Sequence, residues 1–236
     1  MALRVGYDDS QGKTRSVLSF PLTGIPAGST IAAVSLALDN FGVTKLSGQY
    51  VDMELYQVTG DFDENSVTWN SRSNGVPWGA PGGDFSGIPL STLYQVKGSS
   101  TNVFVNTVVF TQAAQAALNA GKPLNLMLMA PDAELATNNL YAKFRSDEAT
   151  TGQLPMLTVV YTVPPPPSLV IRHPTANTVL ISWPSSSAGF TLQQNVNGLS
   201  SLSWSNVTDT IQDDGTNRTL TINSPGGTRF YRLFKP

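Results

Sequence analysis

The side chains that could perform covalent catalysis are few in this sequence. His173 is the only histidine, and because it precedes Pro174 beside a proline-rich segment, a Ser-His-Asp arrangement would have to be built at a module edge. Ser10 and Lys13 have the Ser-x-x-Lys spacing of acyl enzymes, but that motif needs its serine at a buried helix start, and Ser10 lies in a polar turn. Cysteine is absent, which excludes thiol nucleophiles, zinc–thiolate sites and disulfides.

Carboxylates are the remaining candidates for catalysis or metal binding. In an extended segment, Asp61 and Asp63 share one face and Glu64 points away. Paired carboxylates serve glycosidases when a cleft holds them about 5 to 9.5 Å apart, and the same oxygen atoms are ligands for calcium. A solvated turn in which Asp side chains accept backbone hydrogen bonds is the simpler interpretation. Asp147–Glu148 follow Arg145, a spacing that favours a structural ion pair.

Aromatic side chains in a long loop predict a binding surface. Trp78 lies in a segment rich in Gly and Pro, and Phe85 and Tyr94 follow it in the same loop. Long loops in compact domains are often functional. An aromatic face can stack on a sugar ring while neighbouring polar groups bind the hydroxyls. The predicted ligand-binding residues are Trp78, Phe85, Tyr94 and Asn74. The alternative for Trp78 is that it closes one end of the core.

Composition excludes several classes of partner. Only 13% of the residues are charged and the net charge is −2, whereas a nucleic-acid-binding protein normally presents a basic face. No stretch approaches the ~18 consecutive apolar residues that a membrane-spanning helix needs. The N-terminal segment lacks the apolar region of a signal peptide. We therefore predict no nucleic-acid partner and no membrane span, and the chain as given shows no signal peptide.

The run Pro164–Pro167 divides the chain. Consecutive prolines hold an extended polyproline II conformation and cannot join a sheet ladder, so a domain must close before them. We predict a first module over residues 1–163, a linker over 164–167 and a small second module over 168–236.

Short apolar alternations separated by Gly- and Pro-rich turns predict an all-β fold. We expect Leu3–Tyr7 and Ser16–Phe20 to form a hairpin, and Thr111–Ala120 to be the one short helix, with Gly121 at its C-cap. The other predicted strands of the first module are Thr30–Leu38, Tyr50–Thr59, Ser66–Trp69, Asn102–Phe110, Leu124–Ala130, Leu140–Ser146 and Leu154–Val163. Strands at this spacing predict a jelly-roll β-sandwich.

Several segments of the first module occur in an order typical of one family. They are Arg15–Phe20, Gly24–Gly28, Val51–Val58 followed by Ser66–Asn70, Val103–Gly121, and Phe144–Glu148 followed by Leu154–Tyr161. This order resembles the secreted DNRLRE-type jelly-roll domain and covers residues 1 to about 162. The resemblance implies an extracellular or cell-surface module, and because some related modules bind acidic polysaccharides such as alginate, it implies noncatalytic carbohydrate binding.

The sequence departs from that family at its start. The family opens with a further strand before the segment that matches Leu3–Tyr7, and a truncated N-terminus would explain its absence. A jelly roll without that strand exposes a sheet edge on which another chain can pair. The alternative function is therefore a structural surface or filament subunit that forms homo-oligomers through this N-terminal edge, and the third is a carboxylate-dependent glycosidase or polysaccharide lyase. We expect the edge at Leu3–Tyr7 to be covered, because exposed apolar edges aggregate.

The sequence of the second module predicts a small β-sandwich-like domain. Alternating segments at Ile181–Pro184, Phe190–Gln194 and Phe230–Leu233 resemble a short fibronectin type III-like domain of secreted bacterial proteins. The resemblance implies that Trp183 belongs to the core, and leaves the role of Trp204 open.

Overall fold

The computed structural model describes residues 2–96, 98, 100–187, 189–199 and 203–235. The chain divides into two compact units, Met1–Thr162 (unit 1) and Val163–Pro236 (unit 2). Both are built from antiparallel strands, and the described residues contain one α-helix. The predicted all-β sandwich fold with a single helix is confirmed.

Unit 1 contains twelve strands and the α-helix within its described residues. The strands are β1 Ala2–Asp8, β2 Gly12–Thr14, β3 Ser16–Phe20, β4 Thr30–Thr44, β5 Met53–Gln57, β6 Ser71–Ser73, β7 Val76–Pro77, β8 Ser91–Leu93, β9 Ser100–Phe104, β10 Leu124–Met129, β11 Leu140–Arg145 and β12 Met156–Thr162. The helix α1 spans Val108–Asn119, and one 3-10 turn spans Ala133–Leu135.

The larger sheet of unit 1 is organised around the long strand β4. Strand β12 pairs with the first part of β4 and β11 with the last part, while β9 pairs across the middle. Leu36 has partners in both β12 and β9, and Asn40 has partners in both β11 and β9. The two partners of one residue lie on opposite sides of its strand. Strand β9 therefore pairs along one edge of β4, and β11 and β12 follow each other along the opposite edge. Strands β1 and β2 extend the sheet beyond β11.

The second sheet has the order β3-β10-β5-β8 and packs on the first to form the sandwich. Apolar side chains of both sheets share one core, for example Leu36 and Phe144 of the larger sheet with Leu55 and Leu126 of the smaller one. All six residues of β10 are buried. Because the side chains of a strand alternate between two faces, both faces of β10 must be covered.

The helix confirms the prediction of a single α-helix, with a start three residues earlier than expected. Thr107 is the N-cap, and its hydroxyl accepts the Phe110 N–H at 3.0 Å. Val108 and Val109 are β-branched, which is why their local propensity favoured a strand that continued to Phe110. At the other end, Gly121 follows the C-cap with a positive φ of 62°.

The N-terminal hairpin differs from the prediction. Strand β1 pairs with β2, while Ser16–Phe20 forms β3 in the other sheet. The reason is a tight turn: the Asp8 carboxylate accepts the Ser10 N–H at 2.9 Å, the Asp8 carbonyl accepts the Gln11 N–H at 3.1 Å, and Gly12 has a φ of 77°. The chain therefore returns after three residues and then crosses between the sheets.

This pairing provides part of the cover that we expected beside Leu3–Tyr7. Strand β11 pairs with Ala2–Tyr7 on one side, and β2 pairs with Gly6–Asp8 on the other. Further along that second side, the Ser16 hydroxyl donates to the Arg4 carbonyl at 3.0 Å. Segments of the same chain therefore cover β1 along one side and at its Gly6–Asp8 end on the other, as expected for a covered edge.

The described residues of unit 2 form two smaller sheets, of order β13-β14-β18-β17 and β16-β15-β19. Their strands are β13 Val170–Thr175, β14 Thr178–Pro184, β15 Thr191–Asn195, β16 Ser205–Asn206, β17 Gln212–Asp213, β18 Asn217–Asn223 and β19 Phe230–Phe234. The buried core consists of Ile181, Trp183, Leu192 and Leu220. Trp183 is 2% exposed, in agreement with its predicted structural role.

Candidate functional site

The long loop between β5 and β8 lies over the outer face of the smaller sheet. Trp78 and Val58 of the loop form a small apolar cluster with Met127 and Met129, which are the outward-facing residues of β10. Phe62, Val67 and Phe85 pack against the same cluster. The loop is therefore a third layer of the unit, and it covers the second face of β10.

This layer buries the residue on which the predicted binding surface was centred. Trp78 is 6% exposed, and its indole N–H donates to the Thr68 carbonyl at 2.9 Å. This burial agrees with the alternative interpretation of Trp78 as a residue that closes the core, because the apolar face of Met127 and Met129 requires cover. The segment Ser66–Trp69, predicted to be a strand, is a turn in this layer.

Of the other predicted binding residues, Phe85 packs against the same cluster as Trp78, whereas Tyr94 and Asn74 are exposed. Phe85 is half-buried, with its ring centroid 5.0 Å from that of Tyr56. Tyr94 is 77% exposed and follows β8, whereas Asn74 is exposed in the turn between β6 and β7, where its N–H donates to Ser66 at 3.1 Å. None of the described contacts joins Tyr94 or Asn74 to Trp78, so these residues do not form one stacking surface.

Arg15 fastens the loop layer to the sandwich. Its guanidinium forms two hydrogen bonds with the Glu134 carboxylate, of 2.9 and 2.8 Å, and a third of 3.0 Å with the Gly82 carbonyl. It also lies over the rings of Trp69 and Phe85, at 5.0 and 5.4 Å from their centroids. Only 16% of the Arg15 side chain and 5% of the Glu134 side chain are exposed. This bidentate pair and the bond to Gly82 link the start of β3 to the 3-10 turn and to the loop layer.

Tyr56 and Glu54 form a second polar contact under this layer. The Tyr56 hydroxyl donates to the Glu54 carboxylate at 2.5 Å. Burial, and then the hydrogen bond and charge of Glu54, raise the pKa of Tyr56 from 10.0 to about 12. Because the folded state favours the protonated phenol, this contribution to stability is complete below pH 10.0 and is lost as the pH rises towards about 12.

We therefore expect the free energy of unfolding to fall between pH 10.0 and about 12, and Tyr56→Phe to remove part of that fall. Urea titrations across this range measure the effect. Tyr94→Phe is the control, because Tyr94 is 77% exposed. Equal pH dependence in the wild type and in Tyr56→Phe would contradict the account.

The carboxylates of the predicted calcium site have other partners. Asp61 forms an ion pair with Lys122 at 3.2 Å. Asp63 accepts hydrogen bonds from the Ser66 hydroxyl at 2.6 Å and from the Asn65 N–H at 3.1 Å, which lower its pKa. Glu64 is exposed. Among the described residues, no group of three or more His, Cys, Asp or Glu side chains is placed to hold a metal ion.

Glu64 lies near Asp147 and Glu148 on a cavity of about 210 Å³. A hydrogen bond with Ser146 is the main cause that lowers the pKa of Glu148, whereas a glycosidase acid needs a raised pKa. Arg145, the predicted partner of this acidic pair, binds Asp39 instead, at 2.8 Å. A lowered pKa does not suit Glu148 to the role of the general acid.

The outer face of the larger sheet is open where β1, β4 and β11 run side by side. Leu140, Ala142 and Phe144 of β11 point into the core, so the alternate residues Tyr141, Lys143 and Arg145 point outward. Arg4 is the cross-strand partner of Lys143 and shares its face. Phe41 lies at a register shift between β4 and β11 and is 38% exposed. We call this surface the β4–β11 face; its residues are Arg4, Phe41, Tyr141, Lys143 and Arg145.

Cations flank both aromatic rings of the β4–β11 face. Lys143 Nζ lies 5.5 Å and Arg145 Cζ 5.3 Å from the Phe41 centroid, and Arg4 Cζ lies 4.8 Å from that of Tyr141. These are cation–π distances. Both rings belong to strands, and strands position side chains more precisely than loops do.

The balance of charge on this face is positive. Arg4 is paired with Asp8, whose pKa is lowered chiefly by hydrogen bonds from the Ser10 side chain and backbone. Arg145 is paired with Asp39. Lys143 has no carboxylate within ion-pair distance in the part of the chain that the structure describes. One uncompensated positive charge therefore lies beside the exposed Phe41 ring.

Comparison with known proteins does not assign the chain to a family. No family model matches the chain, and no curated protein matches it. Within the described residues, no helix has the length and apolar character needed to cross a bilayer.

Proposed function

We propose that the protein is a noncatalytic polysaccharide-binding module that holds its ligand on the β4–β11 face. One observation carries the proposal: an exposed aromatic ring, Phe41, lies on an open sheet face beside the cations of Lys143 and Arg145. The apolar face of a sugar ring can pack on Phe41 while the cations bind its oxygen atoms.

The charge of the face favours a polysaccharide with carboxylate groups. Lys143 is available for an anionic partner, and Arg145 retains donors besides the Nε that binds Asp39. In the proposed role the module acts outside the cell or at its surface, where such polymers occur, in line with the resemblance noted for residues 1 to about 162.

Phe41→Ala is expected to weaken binding of a polyuronate such as alginate by about 1 to 2 kcal/mol, or roughly 5- to 30-fold in Kd, because stacking and cation–π contacts are lost. Lys143→Gln is expected to weaken binding and to reduce its salt dependence, since one charge contact is removed. Titration calorimetry measures both variants.

Tyr94→Ala is the matched control, because Tyr94 is an exposed aromatic residue predicted from sequence to bind the ligand but lies outside the β4–β11 face. Its affinity is expected to equal that of the wild type. A loss of binding in Tyr94→Ala with no change in Phe41→Ala would move the site to the loop and end the proposal.

A second candidate function is assembly through a sheet edge, and the pairing of β12 on one side only supports β12 as that edge. Strand β12 pairs only with β4, contains no charged residue, and exposes Met156 and Val160 by 57% and 55%. Natural edges are usually protected by charges or prolines. Light scattering separates the two functions, because an assembling subunit grows in mass with concentration whereas a binding module does not.

A further inference from the structure

A second group of aromatic and cationic side chains lies on the three-stranded sheet of unit 2. Gln193 of β15 is the cross-strand partner of both Asn206 in β16 and Arg232 in β19, so the three side chains share one face. Leu192 and Leu233, which alternate with them, pack in the core of unit 2. The face of Gln193, Asn206 and Arg232 is therefore the outer face of this sheet.

Neighbouring groups hold the guanidinium of Arg232 in place. Its Nε donates to Gln193 Oε1 at 2.9 Å, and Gln193 Nε2 donates to Asn206 Oδ1 at 3.0 Å. The ring of Trp204 lies 4.3 Å and that of Phe234 lies 5.1 Å from Arg232 Cζ, measured to the ring centroids. A side chain that is already ordered loses less conformational entropy when a ligand binds.

The positive charge of Arg232 is left uncompensated by the described residues. In the same unit Arg218 binds the Asp213 carboxylate at 3.0 Å, but no described carboxylate lies within ion-pair distance of Arg232. The bond with Gln193 uses Nε, and the described residues supply no acceptor to Nη1 or Nη2. The two Nη groups form the part of the guanidinium fork that binds carboxylate or sulfate oxygens.

We propose that Trp204, Arg232 and Phe234 form an oxyanion subsite in unit 2 that binds a carboxylate or sulfate group of a polysaccharide. The Nη groups of Arg232 pair with the oxyanion, and the half-exposed Trp204 and the 39% exposed Phe234 supply apolar surface beside it. This proposal rests on the proposed function in one respect, which is that the ligand is a polysaccharide. Because it shares no residue with the β4–β11 face, either site can fail without the other.

The experiment is a calorimetric titration of the full chain with short oligosaccharides of equal length: an oligouronate, a sulfated oligosaccharide without carboxylates, and a neutral cello-oligosaccharide. We expect an anionic oligosaccharide to bind at two sites per chain in the wild type and at one site in Arg232→Gln. In Phe41→Ala we expect both sites to remain, one of them weakened roughly 5- to 30-fold. Binding of the oligouronate or of the sulfated oligosaccharide shows whether the Arg232 subsite accepts a carboxylate or a sulfate group. If only the β4–β11 proposal fails, one site remains and Arg232→Gln abolishes it.

Arg229→Gln is the matched control, because Arg229 lies one residue before β19, is exposed, and contacts only Gln194 among the described residues, at 3.4 Å. It removes the same charge and should leave the number of sites unchanged. Arg232→Lys keeps the charge but loses the fork, so we expect at least a fivefold weaker second site. Near-ultraviolet circular dichroism of the buried Trp183 reports whether unit 2 remains folded. The proposal is overturned if folded Arg232→Gln binds like the wild type, or if the neutral oligosaccharide binds equally well at the Arg232 subsite.

Discussion

Arg15→Ala is expected to lower the free energy of unfolding of unit 1 by about 3 to 5 kcal/mol, because it leaves the buried Glu134 carboxylate without its partner. It also removes the donor to the Gly82 carbonyl and the cation between Trp69 and Phe85. Equilibrium denaturation in urea, followed by tryptophan fluorescence, measures the loss.

The double variant Arg15→Met with Glu134→Leu separates the cost of an unpaired charge from the cost of lost packing. Replacing both partners by apolar side chains of similar volume removes the buried charge, so the double variant should be more stable than Arg15→Ala. If the single and double variants lose the same stability, the ion pair is not what fastens the loop layer.

Gly6→Ala is expected to destabilise unit 1 by about 3 kcal/mol or more, because strain and a backbone clash add. Gly6 has a φ of 124°, and a Cβ at this position would lie 2.3 Å from the Leu140 carbonyl oxygen and 2.9 Å from the Tyr141 Cα. These are backbone atoms of β11 and cannot rotate away. The variant should also displace Tyr141, the cross-strand partner of Gly6, on the β4–β11 face.

Gly12→Ala in the same hairpin is the control for the Gly6 prediction. Gly12 has a φ of 77°, but no atom would lie within 4 Å of its added Cβ. Only the left-handed conformation opposes this substitution, so the expected loss is about 1 kcal/mol. Thermal or urea denaturation of the two variants measures their losses in free energy of unfolding. Equal losses would show that the contact of Gly6 with β11 is not tight.

The sequence predicts best those strands in which apolar and polar residues alternate within the segment itself. The predicted Thr30–Leu38, for example, lies inside β4, which continues to Thr44. The missed part contains Asp39, Asn40 and Gly42, which are uncommon in strands, and a register shift beside Phe41 interrupts the alternation. A bulge of this kind depends on the partner strand, so its signal is not contained in the segment itself.

The burial of Trp78, the centre of the predicted binding surface, was missed for a similar reason. Trp78 stands among Gly and Pro residues that indicate an exposed loop, and its burial depends on Met127 and Met129, about fifty residues further along. The outward residues of the β4–β11 face do leave a local signal, since Tyr141, Lys143 and Arg145 alternate with apolar residues. Sequence could not show that this face stays open while the other sheet is covered.

The most direct test of polysaccharide binding on the β4–β11 face is an amide chemical-shift titration of the full chain with an oligouronate. We predict that, within unit 1, the largest shifts fall on β4 near Phe41 and on β11 from Tyr141 to Arg145, with none at Tyr94 or Asn74. Saturable shifts confined to the Tyr94 and Asn74 loops, or no shift in unit 1 at millimolar oligouronate, would contradict the account.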